Sequence, residues 1–205
     1  MRFTGIYLAA GKSRRMGTDK RKLPIGGKPL GSIGLEHALQ SRLDHIFVVT
    51  GKGDQLDWLR TSFFLYPERG KWSQVDCADS AKGLGFSLQK GVKKAAEAGA
   101  EAVMVLLADQ PFVHSEDIDS LIDCYQGMQD LFVGAKGADG IARPPILFSS
   151  EAYRFFENPS GDEGLRSLLR GEFAPKGRAV EFQHPLFFYD VDTKEDYQVL
   201  LEKFR

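Results

Sequence analysis

A cluster of glycines and basic residues near the amino end of the chain is where chemistry is first expected. Residues 6–10 form a short apolar run typical of a buried strand, and Gly11 follows directly. The loop around and after Gly11 holds one acid, Asp19, against seven cations, although the net charge of the chain is only −1. The cations are Lys12, Arg14, Arg15, Lys20, Arg21, Lys22 and Lys28. Glycine-rich backbone N–H groups together with fixed cations form anion sites, so we expect a polyphosphate site rather than a solvated basic loop.

This loop differs from two well-known phosphate-binding loops. A Walker-type loop needs four residues between its glycines and then a lysine, whereas Gly11 and Gly17 have five between them and Thr18 follows. The dinucleotide-binding fingerprint is also absent, because Ser13 stands where its second glycine belongs. Neither a Walker-type NTPase nor a Rossmann dehydrogenase is therefore supported.

Acidic residues follow two later apolar segments. Residues 102–108 are uniformly apolar, as expected of a central parallel strand, and lead directly to Asp109. Ligands of open α/β sheets lie at the carboxyl ends of strands, so Asp109 is well placed to hold a metal ion, with turn capping as the alternative. Residues 187–192 are predicted to be a strand that presents Asp190 and Asp192 on one face.

Two more segments border the predicted site. Residues 44–50 are predicted to be a strand, and a helix holding Leu56, Trp58 and Leu59 is expected after it. In segment 80–91, glycines precede a helical pattern, which places a helix N-terminus where it could meet an anion or a ribose. Ser87 could contact such a ligand or could cap the helix.

Composition restricts the class of protein further. A chain of 205 residues with 42% hydrophobic content can bury one core, so we predict one domain over residues 1–205. Strand-length apolar runs alternate with helix-period segments, which favours an α/β layered fold. No signal peptide or bilayer-length apolar stretch is present, and Cys77 and Cys124 lack metal-ligand spacing. We therefore expect a cytoplasmic protein with neither a membrane nor a nucleic-acid partner.

The opening loop resembles the signature of the MobA-like nucleotidyltransferases. That signature reads approximately Leu-Ala-Ala-Gly-x-Ser-x-Arg-Met-Gly, then Lys, then Gly-Lys-Pro-Leu, and it is matched at residues 8–11, 13, 14 or 15, 16, 17, 20 and 27–30. Residues 107–111, Leu-Ala-Asp-Gln-Pro, match a second family segment residue for residue, and the chain ends on a similar Asp-x-Asp-Thr segment. The similarity covers almost the whole chain and points to the molybdenum cofactor cytidylyltransferases, including the accessory nucleotidyltransferases of xanthine dehydrogenase.

This resemblance implies a fold and a set of site residues. The fold is a single-domain Rossmann-like nucleotidyltransferase, a three-layer sandwich around a mostly parallel mixed sheet, with nucleotide-binding and acceptor-binding halves at about 1–112 and 113–205. The implied catalytic residues are Lys20, Arg14 and Asp109, and the implied ligands of Mg²⁺ are Asp109 and Asp192 with support from Asp190. The implied nucleotide-binding residues are Leu8, Ala9, Ala10, Gly11, Ser13, Arg15, Gly17, Lys20, Gly51, Gly85 and Ser87. The implied acceptor-binding residues are Arg143, Asp162 and Arg166.

The implied reaction is the transfer of CMP from CTP to the terminal phosphate of molybdenum-molybdopterin, with release of pyrophosphate. Its product would serve a xanthine dehydrogenase-type enzyme. Guanylyl members of the family carry glycine where this chain has Ala10, and the added methyl narrows the base pocket in favour of a pyrimidine. Two alternatives remain: a pyrimidine nucleotidyltransferase acting on a sugar or other small phosphate, and a non-catalytic accessory protein that binds molybdopterin.

Overall fold

The computed structural model of the protein describes residues 1–13, 15–125, 130–137, 140–159, 169 and 174–203. Its strands are β1 (Phe3–Leu8), β2 (Pro24–Ile25), β3 (Lys28–Pro29), β4 (His45–Gly51), β5 (Trp72–Cys77), β6 (Ala102–Leu107), β7 (Phe132–Lys136), β8 (Ala142–Ser149) and β9 (Gly177–Glu181). Its α-helices are α1 (Leu30–Gln40), α2 (Leu84–Glu97), α3 (Ser115–Cys124) and α4 (Lys194–Lys203).

Seven strands form one twisted central sheet in the order β5-β4-β1-β6-β8-β7-β9, and β2 and β3 form a separate hairpin. Strands β5, β4, β1 and β6 run parallel to one another, whereas β8 is antiparallel to both of its neighbours and β9 is parallel to β7. The prediction of an α/β fold around a mostly parallel mixed sheet is therefore confirmed.

Helices cover both faces of this sheet because successive side chains of each strand point in opposite directions. On β1, Tyr7 packs into the same cluster as Leu35 of α1 and Ile118 of α3. Its neighbour Ile6 packs on the other face, with Leu88 of α2. Strands β1, β4 and β6 are buried on both faces, which explains their nearly continuous apolar sequences.

A third apolar cluster joins the two ends of the chain. Val191 and Leu200 of α4 are fully buried against Met16 and Ile25, which belong to the opening loop and the hairpin. This packing holds the segment that carries Asp192 beside the loop that carries the cations. None of the helices in the described ranges is long and apolar enough to cross a membrane.

The helix predicted around Leu56 is wrong. Leu56 has a left-handed backbone with φ of 58°, and the side chain of Asp54 accepts hydrogen bonds from the Leu56 N–H at 2.9 Å and from Trp58 Nε1 at 3.1 Å. An aspartate that bonds the backbone two residues ahead stabilises a turn in competition with a helix. Trp58 is nevertheless buried, so its apolar character reflects a place in the core.

The strand predicted at residues 187–192 is also wrong. Residues 185–188 form turns, and the chain from 189 to 192 has no strand partner among the described residues. The expectation rested on the two-residue spacing of Asp190 and Asp192 after apolar residues, and that spacing also occurs in this irregular segment. The segment is held instead by the Val191 N–H, which donates to the Asp109 carbonyl at 3.2 Å.

Candidate functional site

A cleft of about 600 Å³ opens where β1 and β6 end. This edge of a parallel sheet is where open α/β folds bind ligands. The predicted site residues that line the cleft are Leu8, Ala9, Ala10, Gly11, Ser13, Arg15, Lys20, Ser87, Asp109 and Asp192. An adjoining cavity of about 500 Å³ shares the loop at residues 9–13 and reaches the predicted residues Gly17 and Gly51.

The loop after β1 is fixed by hydrogen bonds at both ends. The Ala9 N–H donates to the Val49 carbonyl at 2.9 Å, which continues the pairing of β1 with β4 for one residue. Ser13 adopts a φ of 46°, and its hydroxyl accepts from the Lys20 N–H at 3.2 Å. Met16 anchors the far side of the loop in the third apolar cluster. The turn therefore holds the Lys20 backbone next to the end of β1.

Lys20 joins two aspartates from distant parts of the chain. Its Nζ lies 2.7 Å from Asp109 Oδ2 and 2.8 Å from Asp192 Oδ1, and its side chain is only 13% exposed. Burial alone would lower the pKa of Lys20, but the Asp109 charge and the hydrogen bonds to both carboxylates raise it above its ordinary value. Lys20 is therefore firmly protonated at neutral pH, and its charge offsets part of the charge of the two carboxylates.

Asp192 is positioned by groups on both sides. A capping box begins α4, because the Thr193 N–H donates to Asp196 Oδ2 at 2.8 Å and the Asp196 N–H donates to the Thr193 hydroxyl at 3.1 Å. The Asp192 N–H donates to the same Asp196 oxygen at 3.0 Å. The Asp192 carboxylate also accepts from Arg15 Nη1 at 3.1 Å. A helix terminus therefore sets where this carboxylate lies, although the predicted strand is absent.

Asp190 lies near these carboxylates but has a different partner. Its Oδ1 accepts from Gln110 Nε2 at 2.9 Å, and Asp190 is not among the residues that line the large cleft. Desolvation and then the negative charge of Asp109 raise the pKa of Asp190 to about 6. The role of Asp190 as a supporting metal ligand stays a prediction.

The first turn of α2 also borders the cleft. Gly83 is the N-cap residue and has a φ of 133°, whereas Ser87 lies inside the helix, is buried and lines the cleft. The capping interpretation of Ser87 is therefore wrong. Gly85 is not among the residues that line the cleft, whereas Ser80 and Gly83, which were not predicted, do line it. The glycines before the helical pattern identified this segment, but not which of its members face the cleft.

Arg21 is a site residue that sequence reasoning counted only as one cation among several. It lines both cavities, yet its side chain is only 14% exposed and forms ion pairs with Asp19 and Asp54. Its partner Asp54 lies 33 positions away, in the segment that was expected to be helical. No local sequence signal could have paired them.

Of the three predicted acceptor-binding residues, the structure describes only Arg143. Arg143 lies on β8 with its guanidinium 5.8 Å from the ring centre of Phe188, and it does not line the large cleft. Arg14, Asp162 and Arg166 lie outside the described residues, so the predictions made for them stay predictions.

The donor set of the cleft fits a divalent cation that also binds phosphate. Within the described residues, no group of three or more His, Cys, Asp or Glu side chains is placed to hold a metal ion by itself. Asp109 and Asp192 nevertheless reach one cationic atom, Lys20 Nζ, from two sides. Mg²⁺ in proteins typically takes one or two carboxylates and completes its shell with phosphate oxygens and water.

Comparison with known proteins identifies the family. The family model described as the MobA-like NTP transferase domain matches residues 5–180, which is most of the chain. The chain belongs to the MobA-like NTP transferase family. It is accordingly a nucleotidyltransferase enzyme, and the predicted recognition of this family is confirmed.

Similar proteins cover this MobA-like chain to different extents. It is 36% identical over 197 residues to the purine catabolism protein PucB of Bacillus subtilis, covering 96% of this chain and 94% of PucB. It is 34% identical to a probable molybdenum cofactor guanylyltransferase of Mycobacterium avium, over 60% of this chain and 57% of that protein. A crystal structure of Rv0371c from Mycobacterium tuberculosis in complex with manganese superposes with a TM-score of 0.71 at 25% identity, over 98% of this chain and 99% of that one.

Proposed function

We propose that this protein transfers CMP from CTP to the terminal phosphate of molybdenum-molybdopterin, with the release of pyrophosphate. The product, molybdopterin cytosine dinucleotide, would serve a xanthine dehydrogenase-type enzyme. The observation that carries the proposal is the convergence of Lys20, Asp109 and Asp192 at one cleft, beside the glycine loop at residues 9–13.

The reaction is mainly a problem of charge and position. An oxygen of the acceptor phosphate attacks the α-phosphorus of the nucleotide, and the bond to the bridging oxygen of the leaving pyrophosphate breaks. Such transfers need fixed donors and cations rather than a covalent nucleophile. In our proposal, the backbone N–H groups of the loop from Gly11 to Gly17 bind the β- and γ-phosphates. Lys20, released from its carboxylates, donates to phosphate oxygens, and Arg15 neutralises charge on the leaving group.

Asp109 and Asp192 would hold a divalent cation, for which we propose Mg²⁺. When bound, that ion would neutralise negative charge on the phosphate oxygens during transfer. The solved Rv0371c complex contains manganese, which supports a divalent ion in a similar fold. No general base is required, because a terminal phosphate acceptor is already ionised at neutral pH. Asp190 and Gln110 would help to orient the acidic segment beside these two ligands.

Two observations support the proposed substrates. PucB is named for purine catabolism, and the mycobacterial relatives are named for molybdenum cofactor chemistry, which together favour a molybdenum cofactor branch that serves a purine-degrading enzyme. Ala10 lines both cavities, and its methyl group occupies space that a glycine would leave to the base. CTP is therefore proposed in preference to GTP.

The test is to incubate the purified protein with Mg²⁺, each NTP and candidate acceptors, and to measure pyrophosphate. Release that requires both CTP and molybdopterin is the expected result. Release with a sugar phosphate or another small phosphate would mean that this compound is the acceptor. Tight pterin binding without pyrophosphate under any condition would identify a carrier and contradict the proposal.

A further inference from the structure

Arg21 makes an unusual number of contacts for a cation that borders a phosphate site. Its Nε and Nη2 donate to the two oxygens of Asp19 at 2.9 and 2.7 Å. Its Nη1 donates to the Ala9 carbonyl at 2.7 Å and to Asp54 Oδ2 at 2.5 Å. The guanidinium carbon lies 4.9 Å from the ring centre of Trp58. One side chain therefore joins the start of the loop, its end and the turn after β4.

These contacts leave Arg21 little capacity to bind a phosphate. A guanidinium has five N–H donors, and four of them are engaged within the protein. Burial alone would lower the pKa of Arg21, but its hydrogen bonds to Asp19 and Asp54 raise it. Its charge is balanced by two carboxylates, so it adds little positive potential to the cleft. By contrast, Arg15 is 74% exposed and, within the described part of the chain, pairs with the carboxylate of Asp192 alone.

The contacts of Arg21 reach groups that determine the shape of the loop. The Ala9 carbonyl and the Ala10 N–H belong to the same peptide group. Fixing the carbonyl oxygen therefore also fixes the direction of the Ala10 N–H, the first N–H of the loop. Asp19 immediately precedes Lys20, and its Oδ1 also accepts from the Arg21 N–H at 3.1 Å. A shift of either group would move the phosphate donors or the lysine.

Helix α1 has a glycine, Gly31, where it packs against Trp58 and Arg21. A Cβ at Gly31 would lie 2.7 Å from the Trp58 ring and 2.9 Å from Arg21 Cβ, so only glycine admits both at this distance. The hydroxyl of Ser32 donates to the Trp58 carbonyl at 3.0 Å. The turn after β4 is therefore fixed to the helix as well as to Arg21, which makes it a rigid support.

We propose that Arg21 is a positioning residue for nucleotide binding, acting through Ala9, Asp19 and Asp54 rather than by touching the phosphates. This inference rests on the proposed nucleotide site and assigns a task to a residue outside the motif that identifies the family. The fork of the guanidinium is required, because a lysine ammonium cannot reach three separate acceptors in the same plane.

The test measures the dissociation constant of α,β-methylene-CTP with Mg²⁺ and the melting temperature for four variants, of which Arg21→Ala is used for chemical rescue. Arg21→Lys keeps the positive charge but loses the planar guanidinium group with its several donors. Asp54→Asn keeps the oxygen that accepts from Leu56 and Trp58 and removes only the acceptor of Arg21. The control is Asp57→Asn, which breaks the exposed pair with Lys22 at 2.5 Å in the same segment but outside both cavities.

We expect Arg21→Lys and Asp54→Asn to weaken binding by roughly 10- to 100-fold, the range that one or two charge-assisted hydrogen bonds represent. Asp57→Asn should bind as the wild type does. Guanidinium ion at millimolar concentration should restore binding to Arg21→Ala, and ammonium ion should not. If Arg21→Ala does not fold, the other two variants carry the test.

Three results would overturn the inference. Wild-type affinity in both Arg21→Lys and Asp54→Asn would show that the fork is unnecessary. Tighter binding by Asp54→Asn would mean that the released guanidinium binds phosphate directly. Affinity losses that only follow the unfolded fraction would mean a purely structural role. Failure of the wild type to bind any NTP would instead contradict the proposed function.

Discussion

Lys20 and Asp109 form an ion pair at 2.7 Å in which both side chains are largely withdrawn from solvent. Lys20 also reaches Asp192, which pairs with Arg15 as well, so two cations face these two carboxylates in the ligand-free cleft. Any cation that enters between the carboxylates must displace the ammonium group, and phosphate oxygens offer that group a new partner. Nucleotide and metal binding should therefore favour each other.

Asp109→Asn should abolish most metal-dependent turnover while the protein stays folded. The amide keeps the size of the side chain and an oxygen that accepts from Lys20, but it is a poor ligand for Mg²⁺. We expect kcat to fall by about 10²-fold or more, as when a charge-stabilising group is removed. Pyrophosphate release measures turnover, and circular dichroism checks the fold. Near-full activity would mean that Asp109 does not hold the metal ion. The control is Asp123→Asn, which changes an exposed ion pair with Arg42.

Lys20→Met should change catalysis and metal binding in opposite directions. Loss of the ammonium should lower kcat by about 10²- to 10³-fold, since one preorganised donor commonly contributes that much. In the absence of nucleotide, however, the released carboxylates should bind Mn²⁺ more tightly than in the wild type. Electron paramagnetic resonance of free Mn²⁺ measures the second effect. A change in KM alone would instead make Lys20 a binding residue with no role in the transition state.

Ala10→Gly should broaden the choice of base. Removing the methyl enlarges the part of the cleft shared by both cavities, so kcat/KM for GTP should rise relative to CTP. One methyl in a pocket is worth roughly 1–3 kcal/mol, so a tenfold shift in the ratio is within range. Competition between CTP and GTP in one reaction gives the ratio directly. An unchanged ratio would place base selection elsewhere.

His45 should make the protein less stable as the pH falls below about 6.5. Burial, followed by the charges of Arg2 and Arg69, lowers the pKa of His45 in the folded state, so the unfolded chain binds its proton more readily. The stabilisation is complete above the unfolded pKa of about 6.5 and is lost as acid protonates the imidazole. His45→Gln can keep the contact to the Ser73 hydroxyl without titrating.

Urea denaturation at pH 7.5 and pH 5.5 measures this effect as a difference between the two proteins. The free energy of unfolding should fall more between these values in the wild type than in His45→Gln. The pKa of Asp190 is raised to about 6, so this residue changes stability with pH in the opposite direction. Because Asp190 is present in both proteins, its effect cancels in the comparison. Equal pH dependence would mean that His45 titrates alike in the folded and unfolded states.

Gly91→Ala should destabilise the protein even though alanine favours helices. The gain from helix propensity is about 1 kcal/mol. A Cβ at this position of α2 would lie 2.5 Å from Ile6 Cγ2 and 3.1 Å from Val49 Cγ2, and overpacking of this kind costs about 1–3 kcal/mol or more. Urea midpoints compare it with Gly70→Ala, where a Cβ meets nothing within 4 Å. A stabilised Gly91→Ala would show that α2 can move away from the sheet.

The parts of the site that the sequence predicted are those encoded in one continuous stretch. An apolar run followed by glycines located β1 and its loop, and a second run located β6 with Asp109 at its end. Asp192 was predicted as a metal ligand, but the element that supports it was misjudged, because the two-residue spacing from Asp190 that suggested a strand also occurs in an irregular segment. Arg21 was not distinguished from its neighbours, since its role depends on Asp54, which folding brings from 33 positions away.

The pairing of Lys20 with Asp192 spans 172 positions of the chain. During translation, the glycine loop and Asp109 therefore leave the ribosome long before their last partner does. A nascent chain that has not reached residue 192 would expose Lys20 and Asp109 without their final neighbour. In our proposal, such a chain also lacks one of the two carboxylates that hold the divalent cation.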